Sequence, residues 1–531
     1  MSKSYGLLRR LGGFARDPRG NVAMLFGLAA IPLLICIGAA IDYGRALIVQ
    51  QQMASAEDAA GLAIASWTGL TQAELKAKAQ LFFDANYKST MGAPSPLQVN
   101  FNGDNIVISV TANVPTTFMR IANIDHLNMH AQATITKKER NIELVMVLDT
   151  TGSMASDGKI GALKSAATSM VSTLFEGNDQ SSTVKIGVVP FSAAVNIGSA
   201  NKNSGWLDKN GYSVANASAD PIPFEDLDQT LGISPLDLYS DGTGANRLTN
   251  RPWAGCVRER GGNYELTDDA PSAGTEATLW APYFAPDEPS KLNPKGKCTG
   301  SNYANEYICE TSYATTCVTS SSISDADDNQ RQCFTAKYAG KSVSSTNVGP
   351  DYNCPATAIT AMTSTQATIN TAIDALTPKG STVIPAGLLW GWRMISPGVP
   401  FTEGSAYNDD KYVKAIILLT DGENDVNQTS NGFDKSSYNA FGYAKNGHLG
   451  NLDGSNANAT LDAKTLTVCS AIKAKDIRLY TIGFQVTAAS QTLLQNCATK
   501  PDMFYNSPTT SQLAAVFQDI AQGLSELRLA Q

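Results

Sequence analysis

Residues 142–153 of this chain read IELVMVLDTTGS, and this stretch decides the fold that we expect. Its apolar residues continue without the alternation that marks a strand with one face in water. Such a run is typical of a strand that is buried on both faces, as in a parallel sheet. We therefore predict an α/β domain with a doubly wound, mainly parallel sheet.

An acid and two hydroxyl side chains follow the predicted strand directly: Asp149, Thr151 and Ser153. In an open α/β sheet, ligands bind just beyond the carboxyl ends of the strands. One carboxylate and two hydroxyls are hard oxygen ligands, which suit Mg²⁺, Mn²⁺ or Ca²⁺ better than zinc or copper. The alternative is an ordinary strand-to-loop turn, in which Asp, Ser and Gly are common.

Two later stretches join this motif, KGST at residues 379–382 and AIILLTDG at residues 415–422. With the D-x-T-x-S motif, they resemble the metal-ion-dependent adhesion site of von Willebrand factor type A domains. The resemblance implies that Thr382 supplies a third hydroxyl and Asp421 a second acid. It also implies that Asp149, Thr151, Ser153, Thr382 and Asp421 hold Mg²⁺ (or Mn²⁺ or Ca²⁺). A carboxylate of a partner protein would occupy the open coordination position.

The N-terminus of the chain predicts a membrane anchor. Residues 1–21 carry five basic residues against one acid, and residues 22–41 carry no charge. An uncharged helix of that length spans about 30 Å, the thickness of the hydrocarbon core of a bilayer. The basic flank places the N-terminus in the cytoplasm and the rest of the chain outside it. The alternative is a cleaved secretory signal, whose apolar region is usually shorter.

The same region resembles the N-terminus of TadE/TadG-like Flp (Tad) pilus assembly proteins. The resemblance is carried by RGNV at 19–22, DYGR at 42–45 and AEDAA at 56–60. Members with pilin-type processing have a glutamate five residues after a glycine, whereas the fifth residue after Gly20 is Leu25. We therefore expect a retained, single-pass anchor in the cell inner membrane, with the bulk of the chain periplasmic or extracellular. The resemblance implies pilus or secretion-apparatus components as partners.

Beyond the anchor, the pattern predicts two further parts. Residues 42–140 form a small α+β stalk, with a capping box at TQAE, residues 71–74, and a hairpin turn at Asn102-Gly103. Residues 141–531 form the type A domain. Its stretch over about 198–356 is rich in Gly, Ser, Asn, Asp and Pro and is too long for a structureless loop within a domain. We predict a large, disulfide-rich insertion there, after which the core resumes with a helix near residues 358–376.

Cysteine usage indicates an oxidising compartment. An even number of cysteines follows the apolar segment, which is typical of disulfides outside the cytoplasm. These are Cys256, Cys298, Cys309, Cys317, Cys333, Cys354, Cys469 and Cys497. The pairing within the insertion is left open. Cys469 and Cys497 stand near the ends of neighbouring predicted helices and are predicted to pair, with buried free thiols as the alternative.

The amino-acid composition argues against some classes of function. The 48 acids outnumber the 40 basic residues, which argues against a nucleic-acid binder, and the three histidines offer little general-base chemistry. We expect no enzyme but a membrane-anchored, extracytoplasmic, metal-dependent protein-binding module in Flp/Tad pilus assembly or adhesion. One alternative is a structural envelope protein with an inactive metal site. A second is metal-dependent phosphoryl transfer, for which Thr151 stands where D-x-D-x-T enzymes have their second acid.

Overall fold

The structure is a computed structural model that divides into two compact units near residue 140. Each unit is described by itself. The described residues are 20–65, 67, 70–102, 105–136, 140–209, 234–290, 305–309, 313–316, 319–321, 332, 335–345, 347–429, 432–507 and 509–529.

Helices and strands are interspersed along the second unit, whereas the first has its helices before its strands. The α-helices of the described residues are α1 (Gly20–Ala65), α2 (Gln72–Asn86), α3 (Lys159–Leu174), α4 (Pro235–Leu238), α5 (Gln366–Asp374), α6 (Ile384–Ile395), α7 (Ala457–Ala474), α8 (Ala488–Cys497) and α9 (Thr510–Leu529). The strands are β1 (Ala93–Pro94), β2 (Gln98–Asn102), β3 (Asn105–Pro115), β4 (His126–Thr136), β5 (Asn141–Asp149), β6 (Val184–Phe191), β7 (Val195–Asn196), β8 (Cys256–Val257), β9 (Tyr313–Thr316), β10 (Thr319–Ser321), β11 (Thr360–Thr363), β12 (Tyr412–Thr420), β13 (Arg478–Phe484) and β14 (Phe504–Ser507).

Helix α1 has an exposed apolar part followed by a packed part. Within the described residues it is the one helix long and apolar enough to cross a membrane. Large apolar side chains such as Leu28, Ile31 and Leu34 are exposed on it. Further along, Ala46 and Ala60 are fully buried against the sheet of the first unit. The apolar N-terminal helix fits a membrane-anchored protein.

The first unit pairs its two helices with a small antiparallel sheet in the order β1-β3-β2, with β4 beside β3. The predicted capping box is present, because the Glu74 N–H donates to Thr71 Oγ1 and the Thr71 N–H donates to Glu74 Oε2. Asp42 on α1 is 2% exposed and accepts the backbone N–H groups of Thr117, Phe118 and Met119. These bonds tie α1 to the turn before β4 and give the aspartate of the DYGR motif a structural role.

Glu57 makes the stability of this unit depend on pH. Its side chain is buried on α1, and burial raises its pKa to about 7, against the lowering effect of the Ala133 N–H. An unfolded glutamate titrates near pH 4.3, so the unfolded state loses the proton first as the pH rises. Stability should therefore fall between about pH 4 and pH 7.

Glu57→Gln should remove this fall in stability, because the amide carries no proton to lose. The measurement is the thermal unfolding midpoint of the full-length protein in detergent across that range. Asp84→Asn is the matched control, since Asp84 is an exposed acid on α2 and should leave the pH dependence in place. An unchanged pH dependence in Glu57→Gln would refute this assignment.

The sheet of the second unit runs β14-β13-β12-β5-β6-β7-β8, and β11 pairs with β6. The pairs from β14 through β6 are parallel, whereas β7, β8 and β11 join antiparallel. β5 lies in the middle, and its Val145 and Val147 enter one core while Leu144 and Met146 enter the other. The expectation of a strand buried on both faces is confirmed in a mixed sheet.

Helices cover both faces of this sheet. Helices α6, α7 and α8 contribute to one core, and α3, α5 and α9 contribute to the other. Helix α6 lies directly on β5, because a Cβ on Gly391 would stand 2.4 Å from the Val147 side chain. This close approach requires a glycine at position 391 and seats the second half of α6 on β5.

The sequence prediction was wrong about residues 358–376, where we expected one helix. The structure has β11 first and α5 after it. β11 is short, pairs antiparallel with β6 and shifts register, so its half-buried residues lack the alternation that marks a strand. β14 was also missed, since its four residues comprise two half-buried, one exposed and one buried position, which is no regular alternation.

Two disulfides of the second unit have both of their cysteines among the described residues. Cys469 pairs with Cys497, as predicted, and Cys256 on β8 pairs with Cys354 across 98 residues. Cys309 is also disulfide-bonded. Cys298, Cys317 and Cys333 lie outside the described residues.

The stretch between β7 and β11 packs on α6 through buried aromatic and charged side chains. Arg260 and Arg393 lie over the ring of Trp280, at 4.4 and 4.9 Å from its centroid. Arg393 on α6 also forms an ion pair with Glu259 at 2.6 Å, and both side chains are 1% exposed. Because an isolated buried charge is costly, these contacts hold the stretch firmly against α6.

Candidate metal centre

Three loops meet at the carboxyl ends of β5 and β12, and backbone hydrogen bonds tie them together. The Gly152 N–H donates to the Gly380 oxygen at 2.9 Å, and the Lys379 N–H donates to the Thr150 oxygen at 2.7 Å. Thr382 exchanges two backbone hydrogen bonds with Asp425, at 3.1 and 2.8 Å. The three motifs that stand far apart in the sequence are therefore adjacent in the fold.

The predicted ligand side chains form a continuous network. Asp149 Oδ1 accepts the Thr151 N–H at 2.7 Å. Thr151 Oγ1 lies 2.9 Å from Ser153 Oγ, and Ser153 Oγ donates to Asp421 Oδ1 at 2.6 Å. Four of the five predicted residues are thus linked, Asp149 through the backbone N–H of Thr151 and the other three through their side-chain oxygens.

Thr382, the fifth predicted residue, lies at the edge of this network. Gly422 follows Asp421 directly in the sequence, and a Cβ on this glycine would lie 3.7 Å from Thr382 Oγ1. The glycine keeps this space free of a side chain. The third loop therefore brings its hydroxyl next to the loop that carries the second acid.

The floor of the site is buried and its edge is open. Asp149 is fully buried, Thr151 is 1% exposed and Asp421 is 6% exposed, whereas Ser153 is exposed. Burial and the negative charge of Asp421 together raise the pKa of Asp149. Two buried carboxylates close to each other favour the binding of a cation. The exposed Ser153 connects that position to the protein surface.

Sequence reasoning missed two residues of the site. Thr420 Oγ1 donates to Asp149 Oδ2 at 2.6 Å, and Lys159 Nζ contacts Asp421 Oδ2 at 2.8 Å. Lys159 is 8% exposed and is the first residue of α3. A lysine in the first turn of a helix is repelled by the positive end of the helix dipole. This unfavourable position was the sequence signal that Lys159 has a partner.

Asn424 holds the Asp421 loop in place. Its Oδ1 accepts the Ile384 N–H at the start of α6 at 2.9 Å, and its Nδ2 donates to Asp462 Oδ1 on α7 at 2.8 Å. Glu423, in contrast, is exposed and accepts from Thr487, so it points away from the network. The loop is therefore fixed by a buried amide between two helices.

The chemistry of the site is that of hard oxygens. Within the described residues, no group of three or more His, Cys, Asp or Glu could hold a metal ion. The network instead combines two carboxylates with three hydroxyls. Such oxygens fit Mg²⁺, which keeps several waters and needs only one or two carboxylates from the protein.

Comparisons with known proteins find one matching family model and several similar solved structures. Residues 20–66 match the family model described as putative Flp pilus-assembly TadE/G-like, which confirms the resemblance seen in the N-terminal sequence. No curated protein sequence matches the chain.

Among solved structures, the chain is similar to the vWF domain of the type V pili tip protein Mfa5 from Porphyromonas gingivalis. The identity is 12% and the TM-score 0.33, over 73% of this chain and 95% of that one. A mutant of the PilB minor pilin from Streptococcus sanguinis matches at 12% identity and TM-score 0.32, over 83% and 80%. The pilus adhesin RrgA from Streptococcus pneumoniae matches at 9% identity and TM-score 0.29, over 82% of this chain and 49% of that one.

Proposed function

We propose, from the match of residues 20–66 to the TadE/G-like Flp pilus-assembly family model, that this chain is a metal-dependent protein-binding module of pilus assembly or adhesion. Helix α1 anchors it in the cell inner membrane in a single pass, with the N-terminus cytoplasmic. The second unit is a doubly wound, von Willebrand factor A-like domain with a disulfide-rich insertion. Pilus or secretion-apparatus components are its partners.

One observation carries this proposal: the network of Thr151, Ser153 and Asp421 oxygens above the buried Asp149. Ser153 and Thr151 bind Mg²⁺ (or Mn²⁺ or Ca²⁺) directly. Asp149, Thr382 and Asp421 bind it directly or through water. The bound metal supplies the positive charge that attracts a carboxylate of the partner. Because Ser153 is exposed, that carboxylate reaches the site from the surface.

Hydrogen bonds within the protein orient the proposed ligands. The Thr420 hydroxyl and the Thr151 N–H hold the two oxygens of Asp149, so this carboxylate cannot rotate. The Gly152–Gly380 backbone bond keeps the first and second loops in register. A carboxylate that binds at Ser153 therefore meets ligands that are already in place, which lowers the entropic cost of binding.

Partner capture in cells tests the proposal. Thr151→Val should abolish most crosslinking to the partner, because it removes the hydroxyl at nearly constant volume, whereas Thr151→Ser should preserve it. A chelator that reaches the periplasm should release the partner from the wild type. The captured proteins are identified after crosslinking with and without chelator. Capture that resists chelator, or that is equal for the two variants, would contradict metal-dependent binding.

A structural envelope protein with an inactive metal site is the second candidate. The ion pair between Lys159 and Asp421 favours it, because an ammonium group already compensates one of the two acids. This protein would keep its fold and its envelope location without any divalent cation. Metal titration of the wild type separates the two candidates.

A further inference from the structure

The Lys159–Asp421 ion pair lies within the proposed metal centre. The ammonium group is 2.8 Å from Asp421 Oδ2, and the two side chains are 11% and 0% exposed. The other oxygen of Asp421 accepts the Ser153 hydroxyl at 2.6 Å. The Asp421 carboxylate therefore contacts the Lys159 ammonium group through one oxygen and the proposed metal ligand Ser153 through the other.

We propose that Lys159 is a tethered cation that weakens metal binding at this site until a partner carboxylate completes it. The proposal rests on the proposed function, because it concerns the same five ligands. It assigns a regulatory role to a residue outside the D-x-T-x-S, G-x-T and T-D-G motifs.

Formal charges show how the lysine acts. Asp149 and Asp421 contribute −2 and Lys159 contributes +1, so the protein groups sum to −1. A divalent cation brings the site to +1, and one partner carboxylate then brings it to 0. Without Lys159, the metal alone would bring the two acids to 0. The lysine therefore leaves the metal-loaded site positive until the partner binds.

The surroundings of Lys159 make this repulsion effective. Like charges a few ångströms apart repel strongly where water is excluded, and the ion pair is buried. Lys159 begins α3, so the backbone of that helix fixes the base of its side chain. The positive end of the helix dipole adds to the same positive field. Metal binding and partner binding thus become thermodynamically coupled, each raising the affinity for the other.

Titration of the full-length protein in detergent with Mg²⁺ alone tests this role. Lys159→Gln removes the charge but keeps a hydrogen-bond donor for Asp421, and it should bind Mg²⁺ at least ~10-fold more tightly. Lys159→Arg keeps the charge and should bind as the wild type does. Lys164→Met is the control for general charge, since Lys164 lies on the same helix but donates to the Asp374 oxygen.

The Mg²⁺-dependent rise of the thermal unfolding midpoint gives a second readout if Lys159→Gln is less stable. That rise should be larger for Lys159→Gln than for the wild type at the same Mg²⁺ concentration. Equal affinities of wild type and Lys159→Gln would overturn the role of Lys159 and leave the metal site intact. Failure of both proteins to bind Mg²⁺ would overturn this role and the proposed function together.

Discussion

Asp421→Ala should lower the free energy of unfolding by about 3–5 kcal/mol, the range for a broken buried ion pair. The substitution leaves the Lys159 ammonium, which is 11% exposed on its side chain, without its carboxylate. It also removes the acceptor of the Ser153 hydroxyl. From the sequence alone we would expect the fold to tolerate this change, because the apolar residues of β12 remain.

A double variant separates the loss of the ion pair from the other effects of Asp421→Ala on stability. Asp421→Ala with Lys159→Met should recover most of the lost stability, because replacing both members of a buried pair by apolar groups is often neutral. Glu423→Ala is the matched control, two residues along the same loop and exposed, and it should change stability by no more than about 0.5 kcal/mol. The measurement is denaturant unfolding of the full-length protein in detergent. If the double variant loses as much as Asp421→Ala, the ion pair is not the cause.

Removing the Cys256–Cys354 disulfide should have the second large effect. In the chain-entropy account, closing a loop of this length stabilises the fold by about 4.7 kcal/mol, and closing the shorter Cys469–Cys497 loop by about 3.6 kcal/mol. The bridge spans 98 residues against 28 for the shorter one. Replacing both cysteines of the long bridge by alanine should therefore cost more than the same change in the short one.

Loss of the Cys256–Cys354 disulfide should also affect the metal centre. Cys354 follows Asn353, whose carbonyl oxygen accepts the Ser192 hydroxyl at 3.2 Å, and a Cβ on Gly380 would lie 3.2 Å from the same oxygen. Loss of the bridge should loosen the Gly380 loop and weaken Mg²⁺ binding several-fold, whereas loss of the short bridge should not. Unfolding and Mg²⁺ titration of the two double-alanine variants measure both effects. Equal costs, or equal effects on Mg²⁺, would contradict this link.

The sequence was sufficient to predict that three distant stretches meet, and the reason is physical. Buried parallel strands are recognisable as apolar runs, and their carboxyl ends share one edge of the sheet. Acids and hydroxyls placed directly after such runs, as in Asp149 and Asp421, must therefore converge. The pair Cys469–Cys497 was predictable for another reason, since the two cysteines lie in neighbouring regular helices, in the second half of α7 and at the end of α8.

The sequence was not sufficient for Lys159. A lysine at the start of an amphipathic helix has the pattern of a solvated side chain, and only the fold shows that it contacts Asp421, 262 residues away. Short edge strands such as β11 were missed because half-buried residues do not alternate. The pairing of Cys256 with Cys354 was also unpredictable, because irregular backbone gives no register from which to infer which cysteines meet.

Calorimetric titration of the full-length wild-type protein with Mg²⁺ shows whether the network is a metal site. We expect the wild type to bind a single Mg²⁺ through the Asp149 carboxylate, so that Asp149→Ala shows no heat of binding under the same conditions. Binding should be weak in the wild type, because Lys159 opposes it, and tighter in Lys159→Gln. If neither the wild type nor Lys159→Gln binds Mg²⁺, or if Asp149→Ala binds as tightly as the wild type, the network at the ends of β5 and β12 is not a metal site.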